Sequence, residues 1–101
     1  MAMPEIALDS VVSVAREQVS SDLGGEVAIL GLRRNVYYSL DGVGKRVWEL
    51  IQTPRTVREV LATLVSQYDV DAGRCREDLL RLLRKMQEEG LIDVAGGASK
   101  P

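Results

Sequence analysis

The apolar residues change period at Asp41, and that change restricts the chain to a fold that keeps its strands and helices apart. Before Asp41 the pattern is that of strands. Val36, Tyr38 and Leu40 fall on one face of an extended segment, with Tyr37 and Ser39 on the other. Glu26-Val27-Ala28-Ile29-Leu30-Gly31-Leu32 is a short apolar run of strand length. Arg33-Arg34-Asn35 lies between the two, and asparagine tolerates the positive φ of a tight hairpin. Val12 and Val14 alternate with Ser13 and Ala15, ahead of the turn signal Asp22-Leu23-Gly24-Gly25. The pattern predicts a meander of three antiparallel strands, 11–19, 26–32 and 36–40.

After Asp41 the spacing is helical. Asp41 is placed to cap a helix carrying Val43, Val47, Trp48 and Ile51 on one stripe, and Pro54 stops it. Thr56-Val57-Arg58-Glu59 has the form of a capping box, followed by the stripe Val60, Leu61, Leu64 and Val65 over 57–67. Asp71 can cap a longer third helix ending at Gly90, a suitable residue for the left-handed turn after a helix. Leu91–Val94 reads as a short closing strand. The order is α+β: a three-stranded antiparallel sheet followed by three helices. Two short helices before a longer one also suggest a winged helix-turn-helix. Residues 1–10 form a partly flexible N-terminal segment, 11–94 the domain, and 95–101 a flexible tail.

Composition removes several classes of function. The 101 residues contain no His and no Phe, and Cys75 is the only cysteine. Without His the commonest general base and neutral metal ligand are missing, and one thiol makes neither a disulfide nor a thiolate cluster. No catalytic set, metal site or cofactor is expected. Net charge is −2, unlike the basic excess of most nucleic-acid binders. No apolar run is long enough to span a bilayer and the start lacks a cationic signal, so no membrane partner and a cytoplasmic location are expected.

The third helix carries more apolar surface than one core face needs. With Cys75 at zero, Leu82, Met86, Leu79, Ala72 and Leu83 fill an arc of about 100°, and Leu80 lies outside it near 140°. Arg74, Arg81 and Lys85 occupy the opposite flank, between about 240° and 280°. From Arg74 to Lys85 there are five positive and two negative side chains. The helix therefore suits one wall of an apolar groove with a basic rim that attracts an acidic ligand. Leu80 and Leu83 are the expected wall, with Leu79 and Cys75 beside them; the alternative is the other flank, between Leu82 and Arg74. The second half of such a site is the strand containing Val36, Tyr37, Tyr38 and Ser39. If it is the last strand of the meander, its free backbone edge can accept an extended peptide.

Several segments resemble the PqqD-like family: Leu23–Leu30, Val36-Tyr37-Tyr38-Ser39-Leu40-Asp41, Val47-Trp48-Glu49-Leu50-Ile51, Pro54–Val60, and Leu82–Glu89 with Gly90-Leu91-Ile92. They occur in order from about residue 12 to 94. The family supplies RiPP recognition elements, small non-catalytic domains that bind the leader of a ribosomally made precursor peptide. The resemblance implies that the leader adds a strand beside the third β-strand and lies against the third helix. Stand-alone members are similar to the leader-binding proteins of lasso peptide pathways. This implies two partners, a cysteine-protease-like leader peptidase and an ATP-dependent cyclase. The competing reading is a winged-helix DNA-binding regulator with Arg33 and Arg34 on the wing. Against it, helix three carries Leu79, Leu80, Leu82 and Leu83 where base-reading side chains belong.

Overall fold

The computed structural model describes residues 4–95. Its elements are β1 (Val11–Val14), β2 (Gln18–Asp22), β3 (Glu26–Gly31), β4 (Val36–Asp41), α1 (Gly42–Leu50), β5 (Arg55–Thr56), α2 (Val57–Gln67), α3 (Ala72–Glu88) and β6 (Ile92–Ala95). The fold is α+β, with three helices and an antiparallel sheet in the order β2-β3-β4. A second three-stranded sheet has the order β5-β1-β6.

That second sheet corrects the expected meander. The segment 11–19 is two strands in two sheets. Val11–Val14 pairs with Arg55–Thr56 on one side and with Ile92–Ala95 on the other. Gln18–Asp22 pairs with β3. The break has a local cause. Ala15 is fully buried and donates its N–H to the Leu91 carbonyl, while the Gln18 N–H folds back onto the Arg16 carbonyl. Charged Arg16 and Glu17 then stay in water at the bend.

Other local signals hold. Asn35 has φ 59° and closes the β3–β4 hairpin. Thr56 and Glu59 form the reciprocal capping box at 3.1 and 2.9 Å, and Asp71 accepts from the Arg74 N–H at 2.9 Å. Gly90, at φ 75°, ends α3 in a Schellman turn: Leu91 N–H reaches the Met86 carbonyl and Gly90 N–H the Gln87 carbonyl. Asp41 is a correction. It occupies the N-cap position of α1, but its side chain makes no capping bond.

The core is aliphatic apart from Trp48. Ile29, Ile51, Leu64, Leu83, Met86 and Leu91 are its largest fully buried side chains. Ile6 belongs to it, so residues 4–10 of the N-terminal segment are packed against the domain, with the Ser10 hydroxyl accepting from the Ala7 N–H. The tail lies outside the described residues from 96 onward. No helix of the described residues is long and apolar enough to cross a membrane.

Two basic side chains pin the β2–β3–β4 sheet through three ion pairs. Arg33 at the hairpin tip reaches Glu17 at 2.6 Å and Asp93 of β6 at 3.4 Å, linking the two sheets. Lys45 of α1 holds Asp22 at 3.0 Å and the Gly24 carbonyl. Arg33 draws the Glu17 carboxyl below its usual range, and Lys45 does the same to Asp22. Folded values below unfolded ones mean that this stabilisation is complete above about pH 5 and is lost as pH falls through the folded values. Glu17→Gln with Asp22→Asn should therefore flatten the fall in melting temperature on acidification. An unaltered slope would remove these carboxylates from the account.

Candidate functional site

Among the described residues β4 is an edge strand, with β3 on one side and no strand on the other. The ladder decides which of its backbone groups are free. Leu32 N–H bonds the Glu17 carbonyl and Leu23 N–H the Glu26 carbonyl, continuing the β2–β3 ladder at both ends. Leu30 and Ala28, in the same phase, also turn their backbone groups to β2. Val27, Ile29 and Gly31 therefore turn theirs to Leu40, Tyr38 and Val36 of β4. The N–H and C=O of Tyr37 and Ser39 are left facing the open edge.

The side chains sort by the same alternation. Val36 and Tyr38 are half-buried toward the core, where Tyr38 packs on the hydrophobic cluster. Tyr37 stands on the outer face, 68% exposed, and Ser39 beside it donates to Glu26 at 2.8 Å. A peptide strand on this edge would place its residues opposite Tyr37 and Ser39 on the outer face, and those opposite Tyr38 and Leu40 on the inner one.

On the inner side an apolar groove of about 280 Å³ opens between α1 and the first half of α3. Val43, Gly44 and Val47 form one wall, Cys75, Leu79 and Leu82 the other, with Leu64 and Val70 from the α2 side. The α1 wall begins where β4 ends: a Cβ on Gly44 would lie 3.3 Å from Leu40 Cδ2. Arg74 and Asp78 are the charged residues of the lining.

The structure distributes the expected helix residues unevenly. Arg74, Cys75 and Leu79 line the groove. Arg81 and Lys85 continue the Arg74 flank along α3, each in an ion pair, with Asp78 at 3.1 Å and Glu89 at 3.3 Å. Leu83 is fully buried in the core, and Leu80 packs against the core outside the groove lining. The groove therefore runs on the Leu82–Arg74 flank, where Val43, Gly44 and Val47 of α1 and Cys75, Leu79 and Leu82 of α3 line it together. Val43, Gly44 and Asp78 were not singled out from the sequence. Val43 belongs to the α1 stripe, and its 41% exposure is visible only in the folded chain. Burial pushes the Cys75 thiol above its ordinary pKa, with the nearby Asp78 charge adding to it, so the thiol is not an activated nucleophile.

The model of the family "Coenzyme PQQ synthesis protein D (PqqD)" matches residues 26–92, well over half of the chain. The chain belongs to the PqqD family. Among solved structures, it is similar to "TbiB1 in Complex with the TbiA(beta) Leader Peptide", with a TM-score of 0.75 and 28% sequence identity over 80% of this chain and 94% of that one. No curated protein matches.

Two substitution sets check the geometry through folding alone. Leu83→Ala should cost about 2–5 kcal/mol, whereas Leu82→Ala, at the half-exposed groove wall, should cost clearly less. Tyr37→Pro and Ser39→Pro should leave the domain folded, since their N–H groups face the open edge. Tyr38→Pro, which removes a β3–β4 bond, should lower the melting temperature sharply. Equal losses at all three strand positions would mean that the free groups are misassigned.

Proposed function

We propose that this chain is a non-catalytic recognition module for the leader of a ribosomally made precursor peptide, of the lasso peptide type, acting in the cytoplasm. The leader adds as a strand to β4, through the N–H and C=O of Tyr37 and Ser39, and sets its inward residues against the apolar groove. The observation that carries this reading is the open β4 edge beside that groove, in a chain similar to TbiB1 bound to a leader peptide. Main-chain bonds supply affinity, and side chains entering the groove supply selectivity. Arg74, Arg81 and Lys85 form the rim that the docking peptide meets. Leu80 and Leu83 hold α3 in place instead of touching peptide.

A module that recognises without catalysis needs a second surface to pass its cargo on. The outer face of the β2–β3–β4 sheet offers one. Val19, Leu30 and Tyr37 face one another across the three strands and are 59%, 41% and 68% exposed, with Leu32 beside them. A contiguous apolar row of this kind on a small domain indicates a contact surface. The maturation enzymes of the pathway, a cysteine-protease-like leader peptidase and an ATP-dependent cyclase, are the partners of this reading, and the first of them has this face available while the leader occupies the edge.

The test uses a synthetic TbiA(beta) leader peptide, the ligand named for the similar structure, with duplex DNA as the control. The wild-type protein should bind the leader and not the DNA. Tyr37→Pro and Ser39→Pro should abolish leader binding in folded protein. Leu30→Asp should retain leader binding and lose stimulation of leader removal by the peptidase. Undiminished affinity in both folded proline variants would end the strand-addition reading.

A further inference from the structure

The rim of the groove carries an acid where a simple basic ledge would have none. Asp78 lies in the lining beside Arg74, at 3.5 Å from its Nε, and also accepts from Arg81 Nη1 at 3.1 Å. One carboxylate thus serves two guanidinium groups, both of them more than 70% exposed. Helix pairing explains only part of it. Asp78 precedes Arg81 at i, i+3 in the favoured order, but it follows Arg74 at i, i+4 in the less favourable one, and aspartate is a weak former in a helix interior. Its position over the groove is the feature that remains: Asp78 and Arg74 are the charged groups that a residue entering the apolar lining passes.

We propose that Asp78 is a specificity-determining residue of the leader site. It holds Arg74 and Arg81 at the groove mouth, and a carboxylate of the incoming peptide takes its place on Arg74. The preferred ligand pairs an apolar side chain in the groove with an aspartate or glutamate at a fixed spacing. A neutral peptide leaves the Arg74–Asp78 pair intact and gains nothing at the rim. A basic one meets a guanidinium whose carboxylate partner is already shared. This inference rests on the leader-recognition reading and adds the chemical class of the ligand.

The probe is a displayed library of random peptides, selected on immobilised wild-type protein, on Arg74→Gln and on Asp78→Asn. Both substituted positions are exposed at the rim, and melting curves confirm the fold. Wild-type selection should enrich alternating apolar residues with an acid at one spacing. Arg74→Gln should keep the apolar pattern and lose the acid. Asp78→Asn should keep the acid and bind a selected peptide more tightly, by about two- to fivefold at low salt and less at high salt. The same peptide with its acid changed to the amide should gain nothing. An apolar pattern with no acid preference, or an acid preference that survives Arg74→Gln, overturns this proposal and leaves leader recognition standing. Failure of the wild type to enrich any peptide overturns both.

Discussion

Ala15 has no exposed surface, and its N–H reaches the Leu91 carbonyl at 2.9 Å at the place where the two sheets part. Much of the molecule depends on that junction. The neighbouring Val14 N–H bonds the Ile51 carbonyl at the end of α1, so two consecutive amides tie the start of the domain to its middle and to its end. Leu91 is in reach because Gly90 turns the chain out of α3 in the left-handed conformation. The same leucine sits so close to Gly31 that a Cβ there would lie 2.6 Å from its Cδ2. A glycine at the end of β3 thus lets the last strand approach the sheet that carries the site.

The junction also explains why β4 is free. β1 is spent on β5 and β6, so it cannot extend the β2–β3–β4 sheet. That sheet ends at β4 on one side and at β2 on the other. The two edges differ in character. β2 reads Gln-Val-Ser-Ser-Asp, mostly exposed, and is tied by Lys45 to α1. β4 has Tyr38 and Leu40 on its inner side and continues directly into the apolar wall of α1. A peptide strand finds main-chain partners on either edge; β4 is the one that runs straight into α1, whose Val43, Gly44 and Val47 line the apolar groove.

The site is therefore a consequence of packing with one strand too few and one helix face too wide. α3 buries Leu79, Leu83 and Met86 and packs Leu80 on the core, while Cys75 and Leu82, with one side of Leu79, line the groove. The outer sheet face is a second result of the same economy. In a three-layer domain another element would cover Val19, Leu30 and Tyr37; here they stay in water. In the function proposed above, these two unpartnered surfaces divide the work, one for the cargo and one for the enzyme that receives it.

What the sequence determined by itself was set by short-range hydrogen bonding and period. The hairpin with positive φ at Asn35, the Thr56–Glu59 box, the Asp71 cap and the Gly90 turn are each complete within a few residues, so the residues involved announce them. The stripes of the three helices follow from 3.6-residue spacing in the same way. Asp41 shows the limit of such signals: the right residue stands at the right position, and its carboxylate makes no cap. Tertiary structure decided the rest. The split of 11–19 between two sheets depends on β5 and β6, tens of residues away, and a two-residue strand such as β5 has no period to read. The flank of α3 that forms the groove was equally hidden. Leu83 and Leu82 are adjacent and chemically identical, and only the packed fold buries the first in the core and leaves the second on the wall of the groove that α1 also lines.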